Sequence, residues 1–224
     1  MSNFIVIAID GPSASGKGTV ARRLAEKFHL SHLDTGALYR AVAKRILDEG
    51  QNPDDVAAAK AAAEFVRDNL SWEMLDDEAL RNDRVADATS RSSRFPEVRS
   101  VLTDVQQLYA NRPPHKPGLK PWAGSVLDGR DIGTVICPDA AVKFYITASA
   151  ECRAKRRTAE LKHRGIEVDY TTVLADMKAR DERDSTRATN PLKPAEDAVI
   201  LDTSDMTADE AFQKACDLVR MRLK

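Results

Sequence analysis

The sequence predicts an α/β fold with a parallel sheet and helices on both of its faces. Three observations carry that expectation. Phe4-Ile5-Val6-Ile7-Ala8-Ile9 is a nearly unbroken apolar run rich in β-branched residues, as a strand buried on both faces reads. A Gly/Ser-rich turn follows, then a helical pattern in which Val20, Leu24 and Phe28 share one face while Arg22, Arg23, Glu26 and Lys27 point away. Further short apolar strands recur later in the chain, separated by helical patterns.

The chain has 224 residues, which suits one domain, or one domain with an inserted arm. Lysine plus arginine total 34 and aspartate plus glutamate 35, a net charge of −1, which argues against a protein whose main task is to coat nucleic acid. Hydrophobic residues at 42% and charged residues at 31% exclude a disordered chain, a collagen and a coiled-coil rod. The cysteines Cys137, Cys152 and Cys216 are sparse and odd in number, so a disulfide framework is not expected and a reducing compartment is. The first apolar run is too short for a membrane span and has no basic leader, so a cytoplasmic protein without membrane contact is expected.

After the first helix, His32-Leu33 marks a second strand, and a helix runs from about Thr35 to Asp48 until Gly50 and Pro53 stop it. Residues 54–68 are alanine-rich and helical in propensity. Residues 70–75 alternate enough to suggest a strand, with a turn at Asp76-Asp77 and another short strand near Leu80. The region of about 54–95 differs in texture from its flanks and reads as an arm inserted into the parallel core. Residues 96–111 are helical in pattern, and 112–121, with four prolines and one glycine, form a loop. Ser125-Val126-Leu127 is a buried strand ending at Asp128, and 141–147 is another. Basic helix 150–163 ends at Gly165, helix 172–186 ends before Asn190-Pro191, and 198–201 is the last strand. Thr207 and Glu210 stand at capping-box spacing before a helix with the apolar stripe Phe212, Cys216, Val219 and Leu223.

Four motifs carry chemistry. Gly11-Pro12-Ser13-Ala14-Ser15-Gly16-Lys17-Gly18-Thr19 contains GxxxxGK between strand and helix, the context of a phosphate-binding loop, and makes the sheet P-loop NTPase-type. Its backbone N–H groups and the helix dipole favour anions, and Lys17 reaches the β- and γ-phosphates. Gly18 stands where the simple pattern has a hydroxyl and Thr19 follows it, so the motif alone leaves open which hydroxyl meets Mg²⁺. In Asp34-Thr35-Gly36-Ala37-Leu38-Tyr39-Arg40, a second phosphate would sit on the helix N-terminus with Arg40 as a clamp; the plainer reading is a capped helix with a surface arginine.

Asp128-Gly129-Arg130-Asp131 follows a buried strand, where P-loop proteins place the carboxylate that organises Mg²⁺ and its waters; the plainer reading is a polar turn. Arg180, Asp184 and Arg187 are spaced to share one helix face, an acid between two phosphate clamps or a solvated face of ion pairs. Arg153, Arg156 and Arg157 open a basic helix that reads equally as a lid or as a solvated surface. His29, His32, His115 and His163 make no metal-ligand pattern, and Trp72, Trp122 and the tyrosines are too scattered for a nucleic-acid stacking platform.

Together and in this order, GPSASGKGT, DTGALYR, SRSSRFPEVR, LDGRDIGT and RDERDSTRATNPL resemble the nucleoside monophosphate kinases, within them the bacterial cytidylate kinases, over essentially the whole chain. The resemblance implies transfer of the γ-phosphoryl group of ATP to CMP or dCMP. Carried over by position, residues 11–19 would bind ATP phosphates, joined by Arg153 and Arg157 of a lid at about 153–170. Thr35, Arg40, Arg130 and Arg187 would surround the acceptor phosphate. Ser90, Arg99 and Asp131 would read cytosine, and Arg180 with Asp184 would reach the ribose. Lys17, Asp128, Arg130 and Arg187 would carry the transfer, with Mg²⁺ on Thr19 and, through water, Asp128.

Thr35 stands where relatives often have serine, the arm at 76–90 is shorter than in many, and Arg91 or Arg94 competes with Arg99. A monomer acting on small nucleotides is the default expectation. The rival readings are a P-loop kinase of another small acceptor and a nucleotide-dependent switch. The switch would want a guanine-reading NKxD stretch, which the sequence lacks.

Overall fold

The computed structural model describes residues 4–114 and 120–223. His115 and the middle of the expected proline loop lie outside the described residues. In chain order the elements begin with β1 (Ile5–Asp10), α1 (Lys17–Phe28), β2 (Ser31–Asp34), α2 (Thr35–Asp48) and α3 (Val56–Asp68). Then come α4 (Trp72–Asp76), a 3₁₀ turn (Glu78–Arg81), α5 (Asp83–Ser92), α6 (Pro96–Asn111) and β3 (Gly124–Gly129). A π-turn (Ile132–Ile136), β4 (Val142–Thr147), α7 (Ala150–His163), α8 (Tyr170–Thr186), β5 (Val199–Asp202) and α9 (Ala208–Arg222) complete the chain. Among the described residues no helix is long and apolar enough to cross a membrane.

The chain forms two compact units: Met1–Leu33 with Pro113–Lys224, and Asp34–Arg112. The first unit carries the sheet, in the order β2-β3-β1-β4-β5. β1 pairs in parallel with both β3 and β4, and β4 with β5. Central β1 is therefore buried on both faces, which is why its sequence is apolar without alternation. Ile7 and Ile9 of β1 join Val126, Phe144, Ile146 and Leu201 against Val20 and Leu24 of α1 and Ala215, Cys216 and Val219 of α9. Each large side chain buried here contributes roughly 1.5–3 kcal/mol. The capping box at Thr207 and Glu210 forms as its spacing predicts. The expected stripe on α9 is shorter than read: Cys216 and Val219 are buried, while Leu223, beyond the last helical turn, is 38% exposed.

The second unit is helical. Within it α2 packs on α3 and α5, and α3 on α6. The alanines on α3 at 59, 62 and 63 are buried and allow close approach of its neighbours. The two strands expected at 70–75 and near Leu80 are absent. Residues 72–76 are α4, with Ser71 accepting from Met74 N, and Leu80 sits in the 3₁₀ turn, with Asp77 accepting from Ala79 N. Short polar caps hold each turn, and this unit supplies no neighbouring strand edge to pair with.

Candidate functional site

In the sheet unit, β1 delivers the chain directly into the glycine loop. Gly11 has φ 150°, and a Cβ there would lie 1.9 Å from the carbonyl oxygen of Ile146, so only glycine fits. Gly16 has φ 87° and Ala14 φ 57°, so the loop curls through left-handed conformations before α1 starts at Lys17. Most other helices are capped by a side chain, among them α2 by Asp34, α3 by Asp55 and α8 by Asp169. The amino end of α1 has neither a side-chain cap nor an acid in its first turn. Thr19 N donates to Gly16 O, and the uncapped, acid-free end with its dipole favours an anion. Ser15 is fully buried, and its hydroxyl has no hydrogen-bond partner among the described residues. Both features fit a polyphosphate seated in the loop.

Beside the loop is a cavity of about 290 Å³, lined in part by Ser15, Gly16, Thr19, Arg156, Thr203 and Met206. Thr203, just after β5, holds it together. Its Oγ1 lies 2.9 Å from Ser15 O and 3.1 Å from Thr147 O, and accepts from Arg156 Nη1 at 3.0 Å. Arg156 also donates to Thr203 O at 2.6 Å. Sequence reading passed over Thr203 and Met206. A lone threonine after a short strand carries no motif, and its role comes from three elements meeting in space.

The arginines expected of a lid divide. Arg153 is buried: its Nε donates to Ala148 O, and its Nη1 to Ser13 O and Asp181 Oδ1. It holds the loop backbone from behind, and its guanidinium is already bonded to loop and α8. Arg157 is half-buried and paired with Glu160 at 2.7 Å.

Asp128 is buried near the end of β3. Its Oδ1 lies 2.8 Å from His32 Nε2, on β2. Its Oδ2 faces the start of α1: a Cβ on Gly18 would stand 3.6 Å away. The missing side chain at Gly18 therefore leaves room between this carboxylate and the loop. One carboxylate and the Thr19 hydroxyl suit Mg²⁺, which takes oxygen ligands and keeps most of its waters.

Past β3, Arg130 donates from Nε to Asp184 Oδ2 at 2.8 Å. Burial raises the Asp184 carboxyl, but Arg130, Arg180 and Arg187 outweigh it and hold the group below its ordinary value. Arg187 Nη2 lies 3.8 Å from Asp131 Oδ1, and Arg187 Nε donates to Asn190 O. Arg187 is not on the helix face expected for it. α8 stops at Thr186, and Arg187 is extended, with φ −60° and ψ 142°. The Ser185 and Thr186 hydroxyls bond back to carbonyls of the preceding turn, which helps to end the helix. The sheet unit thus gathers Arg130, Asp131, Arg180, Asp184 and Arg187 as acids and arginines that neutralise one another.

In the helical unit, Thr35 opens α2 and is buried. Asp34 caps that helix through Gly36 N and binds Arg40 Nη2 at 2.6 Å. Ser90 is half-buried on α5. Arg99 of α6 is 3% exposed, its guanidinium 5.4 Å from the centre of the Tyr39 ring. Arg91 and Arg94, the alternatives to Arg99, are instead bound to Asp54, with side chains 37% and 59% exposed.

Comparison with known proteins covers almost the whole chain. A family model described as "Cytidylate kinase" matches residues 7–221. A cytidylate kinase of Methylocella silvestris is 51% identical, over 96% of this chain and 94% of that one. One from Paramagnetospirillum magneticum is also 51% identical, over 96% and 97%. Among solved structures, an uncharacterized protein from Eubacterium ventriosum is similar at TM-score 0.54 and 17% identity, over 96% of this chain and 98% of that one, a likeness of fold alone.

Proposed function

Because this chain belongs to the cytidylate kinase family, we propose that it transfers the γ-phosphoryl group of ATP to CMP or dCMP, giving ADP and CDP or dCDP. The observation that carries the donor half is the uncapped, acid-free amino end of α1, beside a buried Ser15 hydroxyl that has no hydrogen-bond partner among the described residues. The loop N–H groups and Lys17 take the β- and γ-phosphates, and the cavity by Thr203 and Met206 receives the donor base. Mg²⁺, when bound at Thr19 and, through water, Asp128, neutralises charge on those phosphates.

The acceptor is a phosphate monoester with a second pKa near about 6, so it is largely a dianion at neutral pH. No strong general base is required, and the assigned set contains none. What the residues must do is bring two polyanions into line. Arg130 and Arg187 in the sheet unit, and Arg40 with Thr35 in the helical unit, supply cations and a hydroxyl for the acceptor phosphate. When Arg130 turns to phosphate it releases Asp184, which with Arg180 is then available to the ribose. Asp131 accepts from the cytosine N4 amino group, and Arg99 and Ser90 donate to the adjacent acceptor edge. Uracil would set its O4 acceptor against that carboxylate. The helical unit is accordingly the acceptor-binding arm, and the 153–170 segment is the lid that excludes water. Three cysteines without disulfides suit a cytoplasmic enzyme.

A coupled assay of ADP formation with ATP·Mg²⁺ and each of CMP, dCMP, UMP, AMP and GMP tests the reading. Strong turnover is expected with CMP and dCMP, weak with UMP and none with purines. Equal kcat/KM for UMP and CMP would remove the base-reading assignment. Turnover with none of the five would move the acceptor to another chemical class.

A further inference from the structure

Asp10 ends β1, one residue before the glycine loop, and is 3% exposed. It forms no ion pair among the described residues. Both of its oxygens accept from backbone: Oδ1 from Ile132 N and Oδ2 from Gly133 N, each at 2.7 Å. These are the first two N–H groups of the π-turn Ile132–Ile136. A buried carboxylate without a paired counter-charge is expensive, and burial, aided by the neighbouring Asp131 charge and opposed by the two amides and the Arg130 charge, pushes this one up to about 6. Neither the donor loop nor the acceptor groups assigned above use it.

The residue that should cap this turn is Asp131. It occupies the N-cap position, and aspartate there ordinarily folds its side chain onto the N–H groups that follow. Asp131 makes no such bond. Its carboxylate lies toward Arg187 instead, at 3.8 Å. Asp10 has taken the capping work from a different strand. Gly133 fits closely over it, since a Cβ there would be 3.4 Å from Asp10 Oδ2 and 3.2 Å from Lys143 Cδ.

We propose that Asp10 is a positioning residue for base selection: by capping the turn in place of Asp131, it keeps the buried Asp131 carboxylate turned away from the turn and toward Arg187, where it meets the acceptor base. The proposal rests on the reading of Asp131 given above. Without Asp10, the two N–H groups draw the Asp131 side chain into its own cap, and the carboxylate is withdrawn from the base. The loss falls on the acceptor, and on the distinction between cytosine and uracil, rather than on ATP.

The test is steady-state kinetics of wild type, Asp10→Asn and Asp10→Ser with CMP and UMP at saturating ATP, and with ATP varied at saturating CMP. Thermal melting fixes a temperature at which every variant is folded. The amide of Asn accepts only one of the two N–H groups, and Ser is smaller and less demanding to pack. For both variants the CMP KM should rise and the CMP-over-UMP preference should fall, each by about tenfold, the worth of one charge-assisted hydrogen bond. The ATP KM should stay within about twofold of wild type. Equal loss with CMP and UMP, a matching rise in the ATP KM, or failure of both variants to fold would overturn the proposal and leave Asp10 a purely structural residue. A wild type that does not prefer CMP would instead fail the Asp131 reading itself.

Discussion

Lys17 stands at the first position of α1, where the helix dipole and the loop N–H groups converge. Lys17→Ala should cost several kcal/mol of transition-state stabilisation, read as a fall in kcat of at least about a hundredfold with ATP·Mg²⁺. A kcat near wild type would remove Lys17 from the transfer. Asp10 gives a prediction on stability. Burial lifts its carboxyl from 3.8 to about 6, against the pull of the two backbone amides. The folded protein holds this proton between those values, whereas the unfolded chain has released it. The stabilising contribution is therefore complete below about 3.8 and is lost as pH rises through about 6, a change of about 3 kcal/mol. In urea denaturation, wild type should lose most of that amount relative to Asp10→Asn between pH 4 and pH 7. A difference that stays flat would mean that the group is not buried as described.

Thr203 shows how one hydroxyl joins elements, since β4, the glycine loop and α7 all meet it. Thr203→Val keeps the shape and removes the bonds, leaving Ser15 O and Arg156 short of a partner. The ATP KM should rise several-fold while the CMP KM changes little, and an unchanged ATP KM would detach the cavity from the donor. In the helical unit, Asp55 accepts from two N–H groups at the start of α3. Asp55→Ala should lower stability by about 1 kcal/mol, seen as a lower urea midpoint at unchanged slope. The elements most legible in the sequence were those with strong punctuation. Helix 96–111, with Pro96 at its first position, and helix 150–163 were read to the residue. The glycine loop was legible because its spacing has few other uses. Residues 70–81 misled, since alternation over a few residues does not reveal whether a strand edge is near. Asp10 and Thr203 could not be read at all: each acts through atoms more than a hundred residues distant in the chain, and neither belongs to a motif.

At the scale of the whole chain, the two units should respond separately to the two substrates. CMP should slow amide hydrogen exchange around Thr35, Arg40, Ser90 and Arg99 in Asp34–Arg112, whereas ATP·Mg²⁺ should slow it around the glycine loop. Protection by CMP confined to the sheet unit would withdraw the acceptor arm from Asp34–Arg112. That helical unit is one uninterrupted stretch of sequence, entered after Leu33 and left before Pro113. A single recombination event replacing a contiguous stretch of gene could therefore exchange it whole, leaving the glycine loop untouched. Asp131, however, is encoded outside that stretch, on the far side of the second junction. On the proposed roles, a descendant acquiring a foreign insert would inherit new contacts for phosphate and part of the base, yet keep its ancestral preference for an amino group at position 4. On the same proposed role of Asp131, drift toward a uracil substrate would require a second, separate mutation in the part of the gene that the exchange did not reach.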